Sequence, residues 1–105
     1  MPQAPTELAD FQANAANVAG VLRALANERR LMILCKLVEW GEGNVGMLAA
    51  AVGLSQSALS QHLAKMREEK LVDFRRESQT LWYRVSDPRI GGLLAHLQDH
   101  FCSQR

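Results

Sequence analysis

Gly53-Leu54-Ser55-Gln56-Ser57-Ala58-Leu59-Ser60-Gln61-His62-Leu63 is the stretch on which the fold turns. Gly53 suits the position just past a helix end, Leu54 supplies an apolar link, and Ser55 suits an N-cap. From Gln56 to about Glu69 the spacing predicts a helix with two unlike sides. Ala58, Leu59, His62, Leu63 and Met66 share one face, and Gln56, Ser57, Ser60, Gln61, Ala64 and Arg67 take the other. Near the helix start the second face is small, uncharged and rich in hydrogen-bonding groups. A helix that meets only water more often shows Glu and Lys there. His62 lies on the apolar face and reads as a packed residue.

Upstream, a short helix is expected from about Asn44 to Val52, with Val45, Leu48 and Val52 facing inward. Helix, a glycine-containing turn and a second helix form the helix-turn-helix pattern. Before it, Asn27 suits an N-cap, and from Leu31 to Val38 only Lys36 is charged. A helix apolar nearly all round is central and buried. It stops at Trp40-Gly41-Glu42-Gly43. Farther upstream, Thr6 is placed to cap a first helix whose stripe is Leu8, Phe11, Ala15, Val18 and Leu22. That stripe suits packing along another helix, of the same subunit or of a second one.

Downstream, Leu71–Arg76 and Thr80–Ser86 alternate apolar and polar residues with period two, as strands do, and Glu77-Ser78-Gln79 is a hairpin-length connection. Asp87-Pro88 then reads as an N-cap with proline at the first helical position. Ile90, Leu93, Leu94, Leu97 and Phe101 form the stripe of a last helix, which Gly91 and Gly92 weaken unless it is packed. The expected fold is mainly α with a β-hairpin wing: a winged helix-turn-helix of four helices, two strands and a terminal helix. It forms a single domain over residues 1–105, with a loose N-terminus to about residue 6.

Composition agrees. A chain of 105 residues, 48% apolar and 22% charged, builds one globular domain and is not a disordered one. Twelve Lys and Arg nearly balance eleven Asp and Glu, so total charge names no partner. Residues 55–86 are the mildly basic part. No apolar run is long enough to span a membrane, and the N-terminus lacks the pattern of a secretory signal. Cys35 and Cys102 are far apart and form no C-x-x-C motif. A cytoplasmic protein with reduced thiols is the expectation.

The order of elements, with Leu25-Ala26-Asn27-Glu28-Arg29-Arg30-Leu31-Met32-Ile33-Leu34, the stretch from Gly53 to Leu63, Leu71-Val72, and Arg75-Arg76 leading into Tyr83, resembles the ArsR/SmtB family of bacterial transcriptional regulators. The resemblance runs over roughly residues 7–102. It implies a repressor that binds double-stranded operator DNA as a homodimer formed by the first and last helices.

An α-helix fits the major groove, and residues near its N-terminus reach base edges. Gln56, Ser57, Ser60 and Gln61 are therefore the expected readers, with Ser55 as the cap. Lys65, Arg67, Arg75 and Arg76 are expected at phosphates, and the segment Arg75–Gln79 at the neighbouring minor groove. Arg76 shares a strand face with Phe74, and its alternative is to lie over the core.

The family's metal sites lack their ligands here. Near the third helix the chain reads Val45-Gly46-Met47-Leu48, without a thiol, and in the last helix Asp87 is followed by Arg89 and His100 by Ser103. Zinc wants three or four well-placed ligands. No metal and no cofactor is expected, and a metal-responsive repressor stays as an alternative. Placing Cys35 in the second helix and Cys102 near the end of the last is similar to the subgroup that responds to persulfides and oxidants. There a disulfide or longer sulfur bridge relieves repression. The resemblance thus implies Cys35 and Cys102 as a redox-sensing pair and reactive sulfur species or oxidants as inducer. The alternative for Cys35 is a small buried hydrophobe, and for Cys102 an incidental thiol. No phosphate loop or nucleophile elbow points to an enzyme. A winged-helix adaptor between proteins is the other alternative, and it would tolerate charges at Gln56, Ser57 and Ser60.

Overall fold

The computed structural model describes residues 4–101, with side chains from Leu8 onward. In chain order the elements are α1 (Ala4–Ala13), α2 (Ala15–Leu25), α3 (Glu28–Trp40), α4 (Val45–Val52), α5 (Gln56–Glu68), β1 (Val72–Glu77), β2 (Thr80–Val85) and α6 (Pro88–Phe101). This is a winged helix-turn-helix, as the pattern predicts. The expected single first helix is instead two, α1 and α2. Asn14 interrupts it with φ −103° and ψ 8°, and its side-chain amide donates to the Asp10 carbonyl at 2.9 Å. An Asn that bonds to nearby backbone offers the chain an alternative to continuing the helix. The helix also starts at Ala4, so Thr6 is not its N-cap.

The other caps are local, and Asn44, expected as the first residue of its helix, caps it instead. Asn27 Oδ1 accepts from the Arg30 N–H, and Asn44 Oδ1 from the Met47 N–H. Gly53 adopts the left-handed conformation, φ 72°, where a side chain would be strained, and its N–H donates to the Ala49 carbonyl. Ser55 Oγ accepts from the Ala58 N–H at 3.1 Å and starts α5.

The core is one cluster. Ile33, Leu34 and Leu37 of α3 meet Leu48 of α4, Leu59, Leu63 and Met66 of α5, and Ile90 and Leu94 of α6, all buried. Removing so many large side chains from water supplies the main stabilisation, about 1.5–3 kcal/mol for each before chain entropy is set against it. β1 and β2 form an antiparallel pair with Phe74 opposite Tyr83 and Arg75 opposite Trp82. Their connection is tighter than the sequence suggests: Glu77 pairs with Thr80, leaving Ser78 and Gln79 as the turn, with φ 57° at Ser78. Gly43 adds a third rung, because its N–H and carbonyl exchange bonds with Tyr83 at 3.0 and 2.8 Å.

Two apolar stripes are left open. Leu8, Phe11 and Leu22 on α1 and α2 are more than half exposed, and Phe101 at the end of α6 is 73% exposed. No described helix is long and apolar enough to cross a membrane.

Candidate nucleic-acid interface

The inner face of α5 fixes its outer face. Leu59, Leu63 and Met66 are fully buried, so the helix has no freedom to roll. Gln56, Ser57, Ser60, Gln61 and Ala64 are consequently held out in solvent. None of the first four has a side-chain hydrogen bond within the described protein, in contrast to Ser55, whose hydroxyl is taken by the cap. His62 is half-buried beside this row, in keeping with its place on the apolar face.

The cations expected at phosphates are all exposed, but they are not alike. Lys65 stands on an open groove of about 370 Å³ between the start of α3 and α5, together with Asn27, Arg30, Gln61 and His62. Arg30 is fixed there by Glu69, through Nη1 to Oε1 at 2.8 Å and Nη2 to Oε2 at 2.9 Å, and by the Ala24 carbonyl at 3.2 Å. That pairing raises the Arg30 pKa and lowers that of Glu69, each chiefly through the shared hydrogen bond, with burial opposing the shift and charge attraction adding to it. Arg67 stacks over the Phe74 ring at 4.2 Å, so its charge sits between α5 and the wing. Arg76 is exposed on β1, while Gln79 at the turn lines a second groove with Asn44, Gly46 and Thr80, between the start of α4 and the wing.

Arg75 differs from the rest. Its Nε and Nη2 donate to the two Glu42 oxygens at 3.1 and 2.6 Å, and Nη1 donates to Glu77 at 3.1 Å. Those bonds push the arginine pKa up and hold Glu42 below the usual carboxylate range. Sequence reasoning missed this clamp. Glu42 sits between two glycines and reads only as part of a helix stop, and no local pattern ties it to a strand residue so far along the chain. The groove at Asn27 and Arg30 was missed for the same reason: it forms only when α3 and α5 pack.

Cys35 is a free thiol on α3, half-buried against the core. Cys102 lies outside the described residues. Asp87 accepts the Arg89 N–H and pairs with the Arg89 guanidinium at 2.8 Å, so it caps α6 and has its charge matched. Among the described residues no group of three His, Cys, Asp or Glu side chains is placed to hold a metal ion.

Residues 27–73, from the cap of α3 to the start of the wing, match the model of the bacterial regulatory protein arsR family. The transcriptional activator HlyU of Vibrio cholerae is 43% identical over 99 residues, which span 94% of this chain and 91% of that protein. The chain belongs to the ArsR family. It is a DNA-binding transcriptional regulator and not an enzyme. The HTH-type transcriptional regulator YgaV of Escherichia coli is 40% identical across 92% of this chain and 98% of its own length. The crystal structure of the transcriptional repressor BigR from Xylella fastidiosa superposes with a TM-score of 0.81, at 38% identity over 90% of this chain and 96% of that one.

Proposed function

We propose that this ArsR-family regulator is a homodimeric repressor that reads operator DNA with α5 and is released when reactive sulfur species or oxidants modify its cysteines. The observation that carries the DNA reading is the outer face of α5: four exposed polar side chains, Gln56, Ser57, Ser60 and Gln61, none bonded within the described protein. Gln pairs with adenine through N6 and N7, and Ser donates or accepts. Lys65, Arg67 and Arg76 flank that row and meet phosphates, which fix register without reading sequence. The groove beside Lys65 is also lined by Asn27 and His62, where a backbone phosphate would run.

The exposed stripes of α1, α2 and α6 support dimerisation. A lone subunit leaves Leu8, Phe11, Leu22, Leu97 and Phe101 in water, and a two-fold partner would cover them. Bound as a dimer, two α5 helices enter major grooves about one turn apart.

For the inducer, Cys35 supports the sulfur reading through its place. It lies on α3, the helix that α4 and α6 both pack against, so a bond from it to the end of α6 would couple thiol chemistry to the helix-turn-helix. A direct disulfide needs Cα atoms within about 7 Å, and extra sulfur atoms relax that limit.

The test is a titration of the dimer with DNA selected by the protein from random duplexes, reduced and after persulfide treatment. Reduced protein should prefer the selected duplex. Treated protein should bind at least ~10-fold more weakly, equivalent to about 1.4 kcal/mol of coupling. Cys35→Ser should bind and no longer respond. Equal affinity for all duplexes would sink the operator reading, and a full response in Cys35→Ser would sink the thiol reading alone.

A further inference from the structure

The wing carries Arg75, Arg76 and Arg84, and the fold treats the first unlike the other two. A guanidinium has five N–H donors in a planar fork. Arg75 gives two to Glu42 and one to Glu77, and its flat face stands 5.8 Å from the Trp82 ring across the ladder. Arg76 and Arg84 are exposed with no ion pair among the described residues. Two carboxylates offset the charge of Arg75 and occupy three of its five donors, while Arg84 also acts on Glu42 through space. To offer a phosphate its full fork, Arg75 would have to leave both acids.

Glu42 sits in the segment that joins α3 to α4, and that segment is tied to the wing twice. Next to Glu42, Gly43 exchanges two backbone hydrogen bonds with Tyr83 on β2. Glu42 itself grips Arg75 on β1. A Cβ at Gly43 would stand 3.1 Å from the Trp40 ring and 3.4 Å from Leu48, so both side chains would have to give way a little. Val72 and Tyr83 seat the base of the ribbon in the core, and these two ties act on its angle beyond that.

We infer that Arg75 is a positioning residue and not a DNA contact: with Glu42 it sets the angle of the wing, so that Arg76 and Gln79 meet the duplex beside the groove that α5 enters. This rests on the DNA reading above and revises the phosphate role expected for Arg75 from its place in the sequence. The guanidinium is held before DNA arrives, and the bidentate pair fixes direction as well as distance.

The clamp and the phosphate contact predict opposite signs. The duplex that wild-type protein selects from a random pool is titrated at several salt concentrations with Arg75→Ala, Glu42→Gln, the double variant and Arg76→Ala. Each single clamp variant should weaken binding about threefold to fivefold, the range of a well-formed exposed ion pair. The double variant should be no worse than either single. The slope of log affinity on log salt should stay unchanged in the clamp variants and should fall by about 0.9 per subunit in Arg76→Ala. Without DNA, exchange of the Tyr83 amide proton should quicken in Arg75→Ala and in Glu42→Gln. A shallower slope for Arg75→Ala together with tighter binding by Glu42→Gln would overturn the inference, because a carboxylate would then be competing with DNA for the arginine. Unchanged Tyr83 exchange in both variants would overturn it as well. If wild-type protein selects no sequence at all, the operator reading fails, and the exchange measurement still decides the clamp.

Discussion

The outer face of α5 and the wing both present polar side chains to solvent, yet the row on α5 is free and Arg75 of the wing is held. Gln56, Ser57, Ser60 and Gln61 make no side-chain hydrogen bonds within the described protein. In the wing, Arg75 is bound to Glu42 and Glu77, Phe74 lies under Arg67 of α5, and Tyr83 is laddered to Gly43. Specificity needs donors and acceptors not already satisfied at home. Orientation needs the opposite, groups whose bonds inside the protein fix an angle. In the DNA reading proposed above the two regions divide these tasks, and exposure alone does not tell them apart.

The sharpest way to break this comparison is to cut on either side of α5. Leu63 is fully buried, and Leu63→Ala should cost about 2–5 kcal/mol of stability by loss of contact and the cavity left behind. Chemical denaturation would show it, and a cost under ~1 kcal/mol would mean that the helix does not anchor the outer row. On the other face, Gln56→Ala and Ser57→Ala should leave stability within about 0.5 kcal/mol. Each should cost roughly 1–3 kcal/mol in affinity for the selected duplex and leave random duplex nearly untouched. Equal losses on both duplexes would move these residues from base reading to phosphate contact.

How much of this was legible depends on the range of the physics involved. The caps Asn27 and Ser55, the left-handed Gly53 and the two faces of α5 are set within one or two turns of chain, and the sequence shows them directly. The hairpin was legible as alternation, although its turn is one residue shorter than the composition of Glu77-Ser78-Gln79 suggests. The break at Asn14 was not, because the apolar stripe from Leu8 to Leu22 runs through it at helical spacing, and a side-chain amide bonding to the Asp10 carbonyl leaves no mark on that spacing. The Glu42–Arg75 and Arg30–Glu69 pairs were not legible either. Each joins residues more than thirty positions apart, and one Glu resembles another until the fold brings it to an arginine.

A smaller effect separates caps from readers among the serines. Ser55→Ala removes the acceptor of the Ala58 N–H and should cost about 1 kcal/mol of stability. Ser60→Ala, one turn on and unbonded, should cost a few tenths at most. Matched thermal melts of the two variants measure the difference. Equal shifts would mean that the outer serines also hold the helix, against the division drawn above.

The smallest expected effect comes from acid. Arg30, Arg75 and Arg89 hold Glu69, Glu42 and Asp87 below their ordinary values, 4.5 for the glutamates and 3.8 for the aspartate, in each case chiefly by a side-chain hydrogen bond. A carboxylate whose pKa is lower in the folded protein binds fewer protons there than in the unfolded chain. Stability therefore rises with pH across the interval between the two values. The contribution is complete above the ordinary value and drains away as pH falls through it toward the lower, folded one. All three acids touch water, so each pair is screened and its share is modest. Melting temperature should be level with respect to these groups from neutral pH down to about pH 5, then decline. Glu69→Gln should shallow that decline and lower stability at neutral pH, because it removes the titrating group and leaves Arg30, only 13% exposed, short of its partner. Glu42→Gln should shallow it too, and of the two it alone should also quicken Tyr83 amide exchange, since Glu42 ties the wing and Glu69 ties α5 to α3. A decline as steep in both variants as in the wild type would place the acid-sensitive groups elsewhere and leave the wing's bonds without a part in it.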